Sequence, residues 1–232
     1  MQPPPVVILV HGAWHGAWAW AEVVERLSGE GIRTVALDLP SKGTDAAALG
    51  DMRGDAEVVR AAVDDAGAPA LVVAHSYGGL PVSEGAAAAA HLLYVAAFML
   101  EPGESLLGLR GGVDPDWWIT SDDGRTVLPD DPKHVFYADC PPDVAERAAA
   151  ALVPQHKEVF RQELRSAAWK TVPSTYVICE RDNAIPPALQ ELMAQRAGTV
   201  SRMDASHSPF LSRPGEVTAI IQETLAAVIA EA

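Results

Sequence analysis

The stretch 71–79, which reads LVVAHSYGG, constrains this chain more than any other feature. An apolar run leads directly into Ser76, and small residues, Ala74 and Gly78, stand two positions before and after it. This pattern is typical of a sharp turn from a strand to a helix that strains the serine backbone and projects its hydroxyl from the sheet. The first small residue is alanine rather than the usual glycine, and Ser-x-Gly turns are common by chance. Whether Ser76 is a nucleophile therefore depends on the rest of the chain.

Apolar runs and helical patterns alternate on both sides of this stretch. A continuous apolar run is typical of a strand buried on both faces of a parallel sheet, and a strand-helix alternation predicts such a sheet with helices on both faces. We predict an α/β fold in a single domain of 232 residues. The predicted strands are 6–10, 32–37, 70–75, 92–97, 175–179 and 199–203, and the predicted helices are 18–28, 54–67, 80–90, 187–197 and 214–230.

The alternation stops between residues 101 and 171. This interval contains glycines, prolines and aromatic residues, with helical patterns near 143–152 and 155–168. Long insertions in α/β sheets are usually functional. We therefore expect a core formed by 1–100 and 172–232, and a lid formed by 101–171 that covers the carboxyl ends of the strands.

Charge and composition exclude several classes of protein. The 17 basic and 31 acidic residues give a net charge of −14, which opposes binding to nucleic acids and anionic membranes. No apolar run approaches the roughly 18 residues that span a bilayer, and the first residues do not resemble a signal peptide. We expect a soluble, cytoplasmic protein in which Cys140 and Cys179 are reduced thiols.

A serine nucleophile needs a base that is itself oriented by a carboxylate. Reactive groups in α/β sheets lie in loops beyond the carboxyl ends of the strands. Asp182 follows the strand 175–179, and His207 follows the strand 199–203. Ser76, Asp182 and His207 are therefore predicted as the catalytic residues, in the order serine, acid, histidine. Glu101 and Glu180 occupy positions that make them alternative acids.

Three other histidines lie close to the predicted catalytic motifs in sequence. His11 and His15 are four residues apart, but Gly12 and Gly16 oppose the helix that a metal pair at this spacing needs, and we predict no metal site. His75 is expected to pack beside the nucleophile.

Acyl transfer needs two backbone donors for the oxyanion, for which we predict the amides of Tyr77 and Ala13.

Three motifs together resemble the α/β-hydrolase fold superfamily: VHGAWHGAW at 10–18, AHSYGG at 74–79 and SHSPFLSRP at 206–214. They are most similar to the branch that contains plant methylesterases, hydroxynitrile lyases and bacterial carboxylesterases. The resemblance implies the same triad, the same two amides and a lid. Lyases of this branch carry a threonine where this chain has Gly12 and a lysine where it has Ser208, so hydrolysis is favoured over lyase chemistry.

We predict a serine esterase that needs no cofactor and acts on a small or medium apolar ester through an acyl-enzyme. Two alternatives stay open: a ligand-binding receptor that keeps the fold without turnover, and a hydrolase of another bond, such as a lactone, a thioester or a carbon-carbon bond. The sequence leaves the oligomeric state open, a homodimer included. The predicted pocket residues are Gly12, Trp14, Leu106, Trp117, Trp118, Phe136 and Phe210.

Overall fold

A six-stranded parallel sheet forms the centre of the protein in the computed structural model, which describes residues 3–231. All six predicted strands are confirmed. They are β1 (Val6–Val10), β2 (Thr34–Ala36), β3 (Ala70–His75), β4 (His91–Val95), β8 (Ser174–Cys179) and β9 (Thr199–Met203). The strand order across the sheet is β2-β1-β3-β4-β8-β9, and every neighbouring pair is parallel.

Residues of β1 alternate between two hydrophobic cores, one on each face of the sheet. Val6, Ile8 and Val10 belong to one core, and Val7 and Leu9 to the other, and all five are buried. This burial on both faces explains why an unbroken apolar run forms a strand in a parallel sheet. The helices are α1 (Ala21–Gly29), α2 (Met52–Asp64), α3 (Gly79–Gly85), α4 (Pro132–Phe136), α5 (Pro142–Ala150), α6 (Pro187–Ala194), α7 (Pro209–Ser212) and α8 (Pro214–Glu231).

The segment between β4 and β8 carries a second, smaller sheet. Its three antiparallel strands are β5 (Trp118–Thr120), β6 (Thr126–Pro129) and β7 (Gln155–His156). The helix predicted at 155–168 is wrong. The backbone of Gln155 and His156 pairs with β6 instead, and a short 3-10 helix, Lys157–Phe160, follows. We call residues 101–171 the insertion.

Two predicted helix boundaries also differ. The helix predicted at 80–90 ends at Gly85, where a β-carbon would lie 2.3 Å from the main-chain oxygen of Ala56 in α2. The helix predicted at 18–28 starts later than expected: a 3-10 turn, Ala17–Trp20, comes first, and α1 begins at Ala21. Within residues 3–231, no helix has the length and apolar character needed to cross a membrane.

Candidate active site

Ser76 lies in the turn between β3 and α3 with a left-handed backbone. Its φ of 53° is rare for a residue with a side chain and costs roughly 1–3 kcal/mol. The turn is tight because neighbouring chains come very close: a β-carbon at Gly78 would lie 2.6 Å from the oxygen of His11, and one at Gly79 would lie 2.1 Å from the oxygen of Phe98. The sequence pattern around Ser76 thus corresponds to a strained strand-to-helix turn.

His207 and Asp182 form a buried pair beside this turn. The Nδ1 atom of His207 lies 2.7 Å from Oδ2 of Asp182, and the side chains are 2% and 0% exposed. A carboxylate accepts hydrogen bonds, so Nδ1 carries the proton and Nε2 is left with a free electron pair. His207 and Ser76 line the same cleft. The arrangement provides a histidine that can accept the proton of a serine hydroxyl.

Four hydrogen bonds hold the carboxylate of Asp182. Its Oδ1 accepts from the amides of Ala184 and Ile185 at 2.7 and 2.9 Å, and its Oδ2 accepts from His207 and from Nε2 of Gln190 at 2.9 Å. Gln190, in α6, is fully buried. Sequence reasoning missed this glutamine, because nothing in the pattern of α6 distinguishes it.

The alternative acids lie elsewhere. Glu101 forms an ion pair with Lys170 at 2.6 Å, and the half-exposed Glu180 lies 3.7 Å from Arg202. Of the three candidate acids, Asp182 is the one that contacts His207.

A histidine orients the predicted oxyanion amide of Ala13. Nε2 of His11 accepts from the amide of Leu39 at 3.1 Å, so Nδ1 carries the proton and donates to the oxygen of Gly12 at 2.8 Å. The oxygen of Gly12 and the N–H of Ala13 belong to one trans peptide and point in opposite directions. His11 therefore draws the oxygen inward and leaves the N–H directed away from it. Ala13 and Tyr77 both line the cleft.

Three buried histidines near the site are neutral at pH 7. Burial lowers the pKa of His11 from 6.5 to about 4 and that of His15 to about 3, and it lowers the pKa of His75 well below its ordinary value. His15 donates from Nδ1 to the oxygen of Ala13 at 2.8 Å, while its Nε2 accepts from the hydroxyl of Tyr137 at 2.7 Å. These rings hold the backbone around the cleft rather than exchanging protons.

A cleft lies between the sheet and the insertion. Its walls are mainly aromatic and aliphatic side chains. Five predicted pocket residues line it: Trp14, Leu106, Trp117, Trp118 and Phe136. The sequence analysis missed several others, including Phe98, Leu109, Arg110, Phe160, Ile185 and Leu189.

Two predicted pocket residues lie behind the cleft rather than in its wall. Phe210 belongs to the core on the other face of the sheet, where its ring packs against Trp20 at 4.5 Å and His75 at 4.7 Å. Gly12 faces the serine turn, because a β-carbon there would lie 2.8 Å from both Cβ of Ser76 and Nδ1 of His75. Both expectations are corrected: Phe210 supports the site from the core, and Gly12 makes room for the turn.

A buried carboxylate that the sequence analysis did not single out lies below the serine turn. Asp55, in α2, is fully buried and accepts hydrogen bonds at 2.5 Å from the hydroxyls of Ser41 and Tyr77, and at 3.1 Å from the amide of Ser41. Burial raises its pKa from 3.8 to about 6, against the effect of these donors. Asp55 therefore anchors the side chain of the residue that follows Ser76.

Most of the chain matches a known family of sequences. A family model described as the alpha/beta hydrolase family matches residues 7–220. The alpha/beta hydrolase nvfD of Aspergillus novofumigatus (strain IBT 16806) is 31% identical over 94% of this chain and 95% of its own length. Methyl jasmonate esterase 1 of Vitis vinifera is 27% identical over 93% of this chain and 95% of its own length.

Solved structures share the same architecture. The crystal structure of a pyrethroid hydrolase from Sphingobium faniae JZ-2 superposes with a TM-score of 0.81 at 24% identity, covering 96% of this chain and 98% of that one. At this level of identity the likeness shows the fold.

Proposed function

Because the chain belongs to the alpha/beta hydrolase family, we propose that it is a serine hydrolase that cleaves carboxylic esters of small or medium apolar compounds. One observation carries the proposal: His207, which is bonded to the buried Asp182 at 2.7 Å, lines the same cleft as the strained Ser76. The names of two relatives, a methyl jasmonate esterase and a pyrethroid hydrolase, support ester hydrolysis.

In the first half of the proposed reaction, Oγ of Ser76 attacks the ester carbonyl while Nε2 of His207 takes the hydroxyl proton. The carbonyl oxygen becomes an oxyanion that accepts hydrogen bonds from the amides of Ala13 and Tyr77. When the intermediate collapses, the bond to the alcohol oxygen breaks, and His207 returns the proton to the departing alcohol. The acyl group stays on Ser76.

Water completes the cycle. His207 removes a proton from a water molecule, whose oxygen attacks the acyl carbonyl, and a second oxyanion forms at the same two amides. Collapse of this intermediate releases the carboxylic acid and returns the proton to Ser76. Asp182 keeps the proton of His207 on Nδ1 and stabilises the imidazolium that forms twice per cycle.

The walls of the cleft indicate the class of substrate. Trp14, Trp117, Trp118, Phe136 and Phe160 surround an apolar space, and Arg110 is the one lysine or arginine among the described lining residues. Apolar acyl or alcohol groups gain free energy by leaving water for such a space, at about 25 cal/mol per Å². Groups with several charges would lose hydration without gaining partners.

The test is hydrolysis of p-nitrophenyl butyrate and a panel of methyl, aryl and lactone esters by the wild type and by Ser76→Ala. Removing the nucleophile should lower kcat by about 10³-fold or more. Ser28→Ala, which changes an exposed serine of α1, should keep full activity. Full activity of Ser76→Ala contradicts the proposal.

Chemical labelling and product analysis separate the alternatives. A fluorophosphonate that labels Ser76, with no turnover of any ester, lactone or thioester in the panel, would indicate a ligand-binding protein with this fold. If the products show that only lactones or only thioesters are turned over, the proposed substrate bond is wrong, and the proposed nucleophile stays the same.

A further inference from the structure

Trp14 follows the predicted oxyanion donor Ala13, and the insertion binds all three of its polar groups. Its amide donates to Oε1 of Gln155 at 3.1 Å, its indole Nε1 donates to the oxygen of Val127 at 2.8 Å, and its oxygen accepts from the amide of Val153 at 3.1 Å. Trp14 also has a left-handed backbone, with a φ of 65°. Such a conformation persists only where the surroundings hold it.

The orientation of Gln155 is determined by its partners. Oε1 faces an N–H, which can only donate, and Nε2 faces the main-chain oxygen of Ser41 at 2.8 Å, which can only accept. Nε2 also lies 2.7 Å from Oγ of Ser41, and the side chain of Gln155 is almost fully buried. A glutamine fits both partners, whereas an ionised glutamate would set an oxygen against the oxygen of Ser41.

The same set of bonds continues to the second oxyanion donor. Oγ of Ser41 donates to Asp55, which also accepts from the hydroxyl of Tyr77. Gln155, Ser41 and Asp55 thus connect the residue after Ala13 with the side chain of Tyr77, and every member of this connection is buried. Buried polar networks that are fully satisfied hold their members in one arrangement.

We propose that Gln155 is a positioning residue for the oxyanion hole: by holding Trp14, it aims the Ala13 amide, so that the insertion takes part in positioning the hole. This inference rests on the proposed ester hydrolysis. Ser41 and Asp55 act one step further away, by fixing the amide of Gln155.

The insertion contains a matched control. Gln162 also joins the insertion to the core: its Oε1 accepts from the amide of Met52, and its Nε2 donates to Asp51, both at 2.8 Å. These bonds lie at the start of α2 and do not involve the 11–15 loop. Gln155→Met and Gln162→Met therefore remove similar bonds between insertion and core with little change in side-chain volume.

The experiment measures kcat and KM for p-nitrophenyl butyrate, and the inhibition constant of an alkyl trifluoromethyl ketone. Ser76 adds to this ketone to form a hemiketal, with the serine proton passing to His207 and the alkoxide lying in the oxyanion hole. In Gln155→Met we expect kcat to fall about 10- to 100-fold, less than the 10²- to 10³-fold loss of a whole donor. The inhibition constant should rise by a similar factor, while KM stays within about threefold.

The outcomes separate the explanations. If Gln162→Met lowers kcat as much as Gln155→Met, or if KM rises while kcat holds, the effect is a loosened insertion and the inference is wrong. If the wild type is active and Gln155→Met keeps its kcat, only the inference fails, whereas a wild type without turnover overturns the proposed function as well. Should Gln155→Met not fold, Ser41→Ala, which removes one acceptor of Nε2, must lower kcat about 3- to 10-fold with unchanged KM, and an unchanged kcat is contradictory.

Discussion

The side chain of His75 donates a hydrogen bond from Nε2 to the main-chain oxygen of His207, across 2.8 Å. The two rings also pack with their centroids 4.6 Å apart. His75 directly precedes Ser76, so this bond ties the serine turn to the loop that carries the proposed base. This hydrogen bond therefore links the segments that carry the predicted nucleophile and the predicted base, although the two histidines are 132 residues apart in sequence.

His75→Phe should keep the ring and lose the donor. The oxygen of His207 would then be buried without a partner, which costs about 1–3 kcal/mol and lets the histidine loop shift. We expect kcat for p-nitrophenyl butyrate to fall about tenfold. His134→Phe, at an exposed histidine, is the control. A kcat within twofold of the wild type in His75→Phe would mean that the bond does not position His207.

Gln190→Met should weaken the hold on Asp182. The carboxylate loses the bond from Nε2, and the amide of Cys179 loses its acceptor at 3.0 Å. We expect a loss of about 1–3 kcal/mol in the free energy of unfolding and about a tenfold fall in kcat. Gln195→Met, at an exposed position just after α6, should change neither quantity. Urea unfolding and steady-state kinetics provide both readings, and an unchanged kcat contradicts the assigned role.

Asp55 should make the protein less stable as the pH rises from 4 to 7. Its pKa is raised by burial from 3.8 to about 6, so the folded state binds more protons than the unfolded state between these values. The contribution favours folding below pH 4 and is lost as the pH rises through 6. We expect the free energy of unfolding, relative to Asp55→Asn, to fall by about 3 kcal/mol over this range.

The measurement is urea unfolding of the wild type and Asp55→Asn at several pH values. Asp123→Asn is a control of opposite sign, because the hydroxyl of Ser121 lowers the pKa of Asp123. Parallel pH curves for the wild type and Asp55→Asn would show that the carboxyl of Asp55 titrates normally.

Phe160→Leu should widen the apolar cleft. The Phe160 ring packs against Trp118 at 4.5 Å and Trp14 at 5.6 Å, and it lines the cleft. With the ring removed, kcat/KM for p-nitrophenyl octanoate relative to the butyrate should rise up to about tenfold. Phe210→Leu, at a buried ring outside the cleft, should destabilise the protein without changing this ratio. An equal shift in both variants would place the acyl group elsewhere.

Regular features could be predicted from the sequence, and isolated polar contacts could not. The strands of the main sheet follow from apolar runs such as Val6–Val10, whose side chains are buried on both faces. Ser76, Asp182 and His207 could be selected because the ends of parallel strands meet at one edge. Their catalytic roles remain predictions that mutation must test.

Long-range packing determines the features that could not be predicted from the sequence. Gln155 and Gln190 are single glutamines with no local pattern around them. The partners of Gln155 are more than 100 residues away in sequence, and Gln190 bonds Asp182 in the turn that precedes α6. The 155–168 segment has helical propensity, but the pairing of β7 with β6 overrides it. Phe210 and Phe160 are both aromatic, and only their position relative to the sheet determines which of them borders the cleft.

The contact between Gly12 and the serine turn limits how this chain could acquire a different reaction. A threonine at residue 12, as in the lyases that the sequence resembles, would bring its β-carbon within 2.8 Å of Cβ of Ser76 and Nδ1 of His75. The hydroxyl could be introduced only after His75 and the turn had moved. An evolutionary or engineered route to lyase chemistry would therefore have to begin with replacements in the turn, and residue 12 would change last.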